Sequence, residues 1–182
     1  AAGGIPHYFA VFGLALLYGL VGFVDDHAKI KHKANAGLTA LQKLVLQIVV
    51  AAVFISMLRL FGNTLPEIYL PFVDVTLPLP WPVFVLFACF VIVGCENAVN
   101  LTDGIDGLAA GVTLPVAVFF ALVAQRQQNL GAMVFAGALA GGLLGFLLYN
   151  FNPAKVFMGD TGSLFLGGAV AGLAFACGMP VI

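Results

Sequence analysis

The chain alternates long apolar runs with short polar segments. Six runs of about 20 residues carry few charges, and this is the length that a helix needs to cross the apolar core of a bilayer. Because lipid satisfies no backbone hydrogen-bonding group, such a run must be helical. The pattern therefore predicts an all-α polytopic membrane protein with six transmembrane helices, near residues 5–24, 43–62, 78–95, 108–125, 130–149 and 162–181.

Composition supports lipid as the solvent. Of the 182 residues 62% are hydrophobic and 8% charged, and the mean hydropathy is +1.10. A soluble domain of this size could not cover so much apolar surface with so few charges. The net charge of -1 gives no indication of a nucleic-acid partner.

Two glycine-containing patterns bear on the details of the fold. Residues 62–80 combine glycine and four prolines with short β-branched or aromatic pieces, which predicts a small β-hairpin at the outer surface. The spacings Gly137-x-x-x-Gly141 and Gly168-x-x-x-Gly172 predict close helix–helix packing.

Charge sets the expected orientation. The loops after the first, third and fifth spans share one side of the membrane, and an excess of basic residues there indicates the cytoplasm. The basic residues expected on that side are Lys29, Lys31, Lys33, Lys43 and Lys155, against Arg59 and Arg126 opposite. The acids expected there are Asp25, Asp26, Glu96, Asp103, Asp106 and Asp160. A purely topological role needs only the lysines, so the acids indicate chemistry.

The first polar segment begins with Asp25 and Asp26, which are followed by three lysines. One interpretation is a loop that only fixes topology. The other is a site, because adjacent carboxylates repel each other unless they share a cation or a proton. Spacing alone leaves both open.

The second polar segment, residues 97–107, lies between two spans. If it is helical, polar side chains recur every three residues and share one face; they are Asn97, Asn100, Asp103 and Asp106. Ionisable residues at membrane depth usually face a polar cavity. Gly104 and Gly107 permit a helix break and close approach to a ligand. This composition favours a functional segment.

The third polar segment, residues 150–163, ends where the sixth predicted span begins. Free amides at a helix start attract phosphate. Asp160, Thr161 and Ser163 are candidates to cap that helix, and Asp160 also offers the hard oxygen that Mg²⁺ takes beside phosphates. The segment lacks the Gly-Lys-Ser/Thr of a Walker A loop.

Three stretches, GFVDDHAKIKHKANAGLTALQK, NAVNLTDGIDGLAAG and NPAKVFMGDTGSL, resemble the polyprenyl-phosphate N-acetylhexosamine-1-phosphate transferase superfamily. Within it they are most similar to the phospho-N-acetylmuramoyl-pentapeptide transferase (MraY) family. The resemblance covers essentially the whole chain. That family has about ten transmembrane helices, each crossing the bilayer, and a His-rich cytoplasmic loop. We therefore expect residues 1–182 to be the central part of one membrane-embedded catalytic domain.

The resemblance implies an activity. The family transfers phospho-MurNAc-pentapeptide from UDP-MurNAc-pentapeptide to undecaprenyl phosphate, which gives UMP and lipid I for peptidoglycan synthesis. It also implies Mg²⁺, a bacterial inner-membrane location with a cytoplasmic active site, inhibition by nucleoside antibiotics that mimic the donor, and a homodimer. The residue chemistry fits independently, because phosphoryl transfer between anions needs a metal and ammonium groups to offset charge.

The resemblance also implies roles for individual residues. Asp25 and Asp26 match the paired carboxylates, one of which deprotonates or orients the lipid phosphate; which of the two acts stays open. Asp160 matches the Mg²⁺ ligand, and Lys29 and Lys43 match lysines near the phosphates. The matches to substrate-binding positions are Asn100 and Asp103 as polar lining, Phe157 stacked on uracil, Gly104, Ile105 and Asp106 beside the base, and Asn150 in the nucleoside pocket.

Two alternatives remain at this level. A polyprenyl-phosphate GlcNAc-1-phosphate transferase would share the aspartate segments, and donor selectivity separates it. An ion-coupled transporter also carries membrane carboxylates and glycine-broken helices, but it predicts carboxylates at mid-bilayer and an inverted repeat. The carboxylates here are expected at one face, which favours a transferase.

Overall fold

The computed structural model describes residues 5–32, 37–60, 66–70 and 73–181. It contains six helices and one pair of strands within those ranges. In chain order they are α1 (Ile5–His32), α2 (Ala40–Leu60), β1 (Glu67–Leu70), β2 (Val75–Pro78), α3 (Trp81–Thr102), α4 (Leu108–Arg126), α5 (Leu130–Asn150) and α6 (Gly159–Ala176). The six predicted helices are thus confirmed as helices.

Five of these helices, α1 to α5, are long and apolar enough to cross a membrane. The sixth, α6, has 18 residues and carries Asp160 in its first turn, so its membrane crossing stays a prediction. Large apolar side chains are exposed on the outer faces of the bundle; Phe90, for example, is 78% exposed. Such a surface is suited to lipid rather than to water.

The predicted hairpin is confirmed. Strand β1 pairs antiparallel with β2, in a register that joins Glu67 to Pro78 and Leu70 to Val75. The Tyr69 hydroxyl donates a hydrogen bond of 3.0 Å to Asp74 Oδ1 beside the turn. The hairpin connects the end of α2 to the start of α3, so it lies at the opposite end of the bundle from the polar segments.

Helix α6 is the centre of the bundle, packed against α1, α3 and α4. A Cβ atom on Gly168 would lie 2.8 Å from Tyr18 Cδ2, and one on Gly172 would lie 2.9 Å from Val11 Cγ1. The prediction that these glycines permit close packing is therefore confirmed. A Cβ atom on Gly137 or Gly141 would meet no described atom within 4 Å, so that half of the packing prediction is wrong for this part of the protein.

Helix α3 ends at Thr102, so the second polar segment is helical up to that residue and forms a turn over residues 103–107. Asn97 and Asn100 lie on the helix and Asp103 is its C-cap, whereas Asp106 lies in the turn. The single helical face considered from the sequence therefore does not extend to Asp106. Gly107 is the N-cap residue that precedes α4, and its φ of 74° is a left-handed conformation that glycine adopts without strain.

Candidate active site

The polar segments meet at one end of the bundle. Asp25 and Asp26 lie in the last turns of α1, and Asp160 lies in the first turn of α6. We call these three residues the carboxylate cluster. Each offers an oxygen, and the three oxygens lie within 4.8 Å of one another. The structure thus brings together acids from the first and the last of the six described helices.

Asp25 is the buried member of the carboxylate cluster, 3% exposed. Its Oδ1 accepts a 2.7 Å hydrogen bond from the Leu38 amide, and its Oδ2 lies 2.8 Å from Lys29 Nζ. Gly37 lies so close that a Cβ atom there would overlap the Asp25 carboxylate. Asp25 therefore ties the segment before α2 to the end of α1.

Asp26 binds the start of α6. Its Oδ2 accepts hydrogen bonds from the amide and the hydroxyl of Thr161, at 2.9 and 2.7 Å, and its Oδ1 lies 3.4 Å from the Asp160 amide. The N-cap residue, Met158, provides no side-chain hydrogen bond. A carboxylate at a helix N-terminus satisfies free amides and interacts favourably with the helix dipole. Asp26 is thus the cap, supplied by another helix.

This arrangement corrects two expectations for the start of α6. The amides that the sequence offered to phosphate are bound by Asp26. The helix is not capped by Asp160, Thr161 or Ser163; the Ser163 hydroxyl instead donates to the Gly159 carbonyl at 2.9 Å. Gly159 has φ of 62°, and a Cβ atom there would lie 2.9 Å from Asp26 Oδ2. Asp26 can approach the start of α6 this closely because residue 159 is a glycine.

Asp160 is the point on which three helices converge. Its Oδ2 accepts hydrogen bonds from Lys29 Nζ of α1 at 2.8 Å and from Lys43 Nζ of α2 at 3.0 Å. Its Oδ1 accepts from Asn100 Nδ2 of α3 at 2.9 Å. Burial acts to raise the pKa of Asp160, but its hydrogen-bonded neighbours outweigh burial and hold that pKa well below its usual range. The carboxylate is therefore ionised across the physiological range.

The carboxylate cluster fits a divalent cation by its donor chemistry. Mg²⁺ prefers oxygen ligands, and carboxylates are the commonest ones beside phosphates. The ammonium group of Lys29 lies among all three carboxylates, at 2.8 Å from Asp25 Oδ2, 3.6 Å from Asp26 Oδ1 and 2.8 Å from Asp160 Oδ2. The structure itself thus places a positive charge in the space that these oxygens enclose.

Asn100 and Asp103 extend the site along the end of α3. Asn100 Nδ2 donates to Ser163 Oγ at 2.7 Å in addition to Asp160, so Asn100 joins α3 to α6. Burial, with the nearby charge of Asp160, raises the pKa of Asp103 to about 6. Asp103 is therefore a carboxyl group whose charge changes near neutral pH.

Asp106 and Asn150 hold two loops together, residues 103–107 and 151–158, which we call the loop pair. Asp106 Oδ2 accepts hydrogen bonds from the Ala154 amide at 2.9 Å and from Asn152 Nδ2 at 3.2 Å. Asn150 Oδ1 accepts from the Gly107 amide at 3.1 Å, and its Nδ2 donates to the Val156 carbonyl at 2.9 Å. Both polar groups of Asn150 are satisfied within the protein, and its side chain is buried.

The remaining residues implied by the resemblance are open to solvent on the loop pair. Phe157 is 70% and Ile105 68% exposed, and Gly104 is exposed as well. A phenylalanine ring that is so exposed contributes little buried apolar area to the stability of the fold. The position of Phe157 therefore suits a ligand that covers the ring.

Sequence reasoning missed Gln47 and Tyr18, and it counted Glu96 only as one more acid at the cytoplasmic face. The structure buries all three, with Glu96 at 0% exposure. Gln47 Nε2 donates to Glu96 Oε1 at 3.0 Å, and the Tyr18 hydroxyl donates to the Gln47 carbonyl at 2.9 Å. The available signal was the spacing of Gln47, one helical turn after Lys43.

Comparison with known proteins gives a consistent result. The chain is 44% identical over 177 residues to the phospho-N-acetylmuramoyl-pentapeptide-transferase of Bacillus pumilus, an alignment that covers 97% of the chain and 54% of that protein. It is 42% identical over 177 residues to the protein of that name from Bacillus subtilis, with the same coverage. It is 46% identical over 176 residues to that of Caldanaerobacter subterraneus, covering 97% and 55%.

The chain thus spans about half the length of the curated relatives it matches. A match to Glycosyl transferase family 4 extends over residues 8–178. That range includes the carboxylate cluster, both lysines that contact it and the loop pair. The chain therefore belongs to Glycosyl transferase family 4.

Proposed function

We propose that the protein is a Mg²⁺-dependent phosphoglycosyl transferase of the bacterial inner membrane. It transfers phospho-MurNAc-pentapeptide from UDP-MurNAc-pentapeptide to undecaprenyl phosphate and releases UMP and lipid I. The observation that carries this proposal is the convergence of the carboxylate cluster with Lys29 and Lys43 at one end of an apolar bundle. The names of relatives that cover almost the whole chain support this donor.

Charge compensation is the main requirement of this reaction, since donor and acceptor are both anionic phosphates. Mg²⁺ held by Asp160 and its carboxylate neighbours would supply positive charge to the phosphates in the transition state. Lys29 and Lys43 supply the protein's own positive charge, and both already lie at the carboxylates that border the reacting groups. An ammonium group released from these carboxylates would be available to a phosphate oxygen.

The two adjacent carboxylates divide the remaining work. Asp25 is 4% exposed and Asp26 28% exposed, measured over their side chains, so only Asp26 is accessible to a second substrate. Its Oδ2 accepts hydrogen bonds from Thr161, whereas the contacts of its Oδ1 with described groups are longer, at 3.4 and 3.6 Å. We assign Asp26 Oδ1 to orient or deprotonate the lipid phosphate, and Asp25 to hold Lys29.

The loop pair supplies the nucleoside site in this proposal. The exposed Phe157 ring stacks on uracil, while Gly104 and Ile105 lie beside the base and Asp103 lines the adjoining polar space. Asp106 and Asn150 act through the backbone that they hold. Nucleoside antibiotics that mimic the donor would compete for this surface. The cytoplasmic orientation follows from the lysines that share this end of the bundle.

The test is UMP release by the purified protein in detergent with undecaprenyl phosphate and Mg²⁺. UDP-MurNAc-pentapeptide and UDP-GlcNAc are supplied in separate reactions. We expect release from the muramoyl donor only, loss of release with EDTA, and recovery when Mg²⁺ is restored. Release from UDP-GlcNAc alone would assign the protein to the other branch of the superfamily. Release from neither donor would reject the transferase.

A further inference from the structure

A second polar layer lies beneath the carboxylate cluster, inside the bundle. It consists of Gln47 on α2 and of Glu96 and Asn97 on α3. Gln47 Nε2 donates to Glu96 Oε1 at 3.0 Å, Asn97 Nδ2 donates to Glu96 Oε2 at 3.2 Å, and Asn97 Nδ2 also donates to Gln47 Oε1 at 3.0 Å. Asn97 Nδ2 also lies 2.8 Å from the Val93 carbonyl. Because an amide NH₂ has two hydrogens for these three acceptors, the contact with Gln47 is the better-defined hydrogen bond of Glu96.

This layer joins four helices. The Tyr18 hydroxyl of α1 donates to the backbone carbonyl of Gln47 at 2.9 Å. Gly167 of α6 packs so closely against α3 that a Cβ atom there would overlap Glu96 Cα. Glu96 and Gln47 are 0% and 1% exposed. A carboxyl group buried between membrane helices is costly unless it is hydrogen-bonded, so the contact between Gln47 and Glu96 favours one arrangement of α2 against α3.

The layer is in register with the site above it. Lys43, which binds Asp160, precedes Gln47 by one turn of α2, and Asn100, which also binds Asp160, follows Asn97 by one turn of α3. Residues three or four apart lie on the same helix face. The hydrogen bond between Gln47 and Glu96 therefore also sets the position of the Lys43 side chain relative to α3.

We infer that Glu96 is a positioning residue for the proposed transfer reaction: by binding Gln47 it sets the rotation and depth of α2, so that Lys43 reaches Asp160. The inference deepens the proposed function and rests on it for its kinetic test. Glu96 itself lies below the carboxylate cluster and touches none of its members through a described hydrogen bond or ion pair.

The first test needs no activity. Lys43 is acetylated with an N-hydroxysuccinimide ester, and its labelling rate is measured by mass spectrometry relative to exposed Lys155. Lys43 is 17% exposed and bound to Asp160, so labelling requires local opening. We expect Glu96→Ala to raise the Lys43/Lys155 ratio about tenfold, because a less firmly held α2 would open more often and expose Lys43 to the reagent. An unchanged ratio in folded protein would overturn the inference.

Two variants separate positioning from charge and from packing. Glu96→Gln cannot carry a negative charge but keeps an oxygen that can accept from Gln47, so the labelling ratio should stay within about twofold of the wild-type ratio. A rise equal to that of Glu96→Ala would show a charge effect and reject positioning. Ile92→Ala truncates a fully buried side chain one turn away on α3 and should leave the ratio unchanged.

The second test is a double-mutant cycle on UMP release. If Glu96 acts through Lys43, Glu96→Ala lowers kcat about tenfold when Lys43 is present and less than about twofold in a Lys43→Ala background. Equal losses in both backgrounds would mean a general structural role and would overturn the inference. The control Ile92→Ala should lower kcat by the same factor whether Lys43 is present or replaced by alanine. Should Glu96→Ala not fold, Gln47→Ala removes the same hydrogen bond from the other side.

The two proposals can fail separately. Absence of UMP release from wild-type protein would reject the proposed function, while the labelling comparison would still decide whether Glu96 positions Lys43. Normal UMP release with an additive cycle and unchanged labelling would reject only the role of Glu96.

Discussion

The polar end of the bundle has two unlike regions. In the carboxylate cluster, every carboxylate is already bound by groups from the protein: Asp25 by Leu38 and Lys29, Asp26 by Thr161, and Asp160 by two lysines and an asparagine. On the loop pair, hydrogen bonds hold the backbone while Phe157 and Ile105 project outward, 70% and 68% exposed.

Under the proposed function, this difference predicts how binding and chemistry are divided. Groups that stabilise a transition state work best when they are held in place before the substrate arrives. A surface that binds a planar base needs mainly an accessible ring on a fixed backbone. We therefore expect substitutions in the carboxylate cluster to change kcat strongly, and substitutions on the loop pair to change nucleotide affinity moderately.

The largest effect is expected from Asp160→Asn, which removes the charge on which α1, α2 and α3 converge. UMP release should fall about 1000-fold, the loss seen when a main electrostatic group of a site is removed. Asp74→Asn, in the hairpin at the other end of the bundle, is the matched control and should leave the rate unchanged. Retained turnover in folded Asp160→Asn protein would show that the carboxylate cluster is not where the chemistry takes place.

The second largest effect is expected from Lys29→Met, which should lower kcat about 100-fold. The ammonium group that contacts all three carboxylates is lost, while the aliphatic length is kept. Lys31→Met, on an exposed part of α1, is the control and should retain kcat. The comparison of kcat with nucleotide KM decides the outcome: a change in KM alone would place Lys29 in binding rather than in chemistry.

Phe157→Ala tests the other region. Loss of a stacked ring should weaken nucleotide binding about tenfold, with kcat nearly unchanged, as measured by UMP titration and by steady-state kinetics. Phe151 is also 70% exposed and lies on the same loop, so Phe151→Ala is a closely matched control. Equal affinity losses in both variants would indicate a general apolar contribution and remove the specific role of Phe157.

The smallest effect is expected from Thr161→Val, which removes the hydroxyl that binds Asp26 but keeps the amide that Asp26 caps. The loss should be about 1 kcal/mol of stability, observed as a lower thermal unfolding midpoint in detergent. The Thr102 hydroxyl bonds only to the Ala98 carbonyl of its own helix among the described groups. Thr102→Val should therefore shift the midpoint less, and an equal shift would argue against the cap.

The sequence predicted the helices and the hairpin well because both depend on local patterns. Apolar runs between polar segments specify membrane helices, and prolines with β-branched residues between α2 and α3 specify the hairpin. The glycine spacings were less reliable. Gly168 and Gly172 face α1, whereas Gly137 and Gly141 meet no described neighbour, because spacing alone does not say which face of a helix has a partner.

Candidate site residues were predicted from the sequence by type and by resemblance, but the contacts that they make were only partly anticipated. Asp160 was expected as a hard ligand, and it lies at the convergence of three helices. Asp106 and Asn150 were expected beside the nucleoside, and their side chains hold the loop pair together. A motif marks that a residue is needed there, but not which partner it binds.

The sequence by itself determined an apolar helical bundle with its lysines and six of its eight acids collected at one end. Only the tertiary structure decided that Asp26 caps α6, that Lys29 lies among three carboxylates, and that Glu96 lies buried against Gln47. The contacts of Lys29 and Thr161 with their partners span 131 and 135 positions. Such contacts depend on how whole helices pack against one another, which no local pattern of apolar and polar residues specifies.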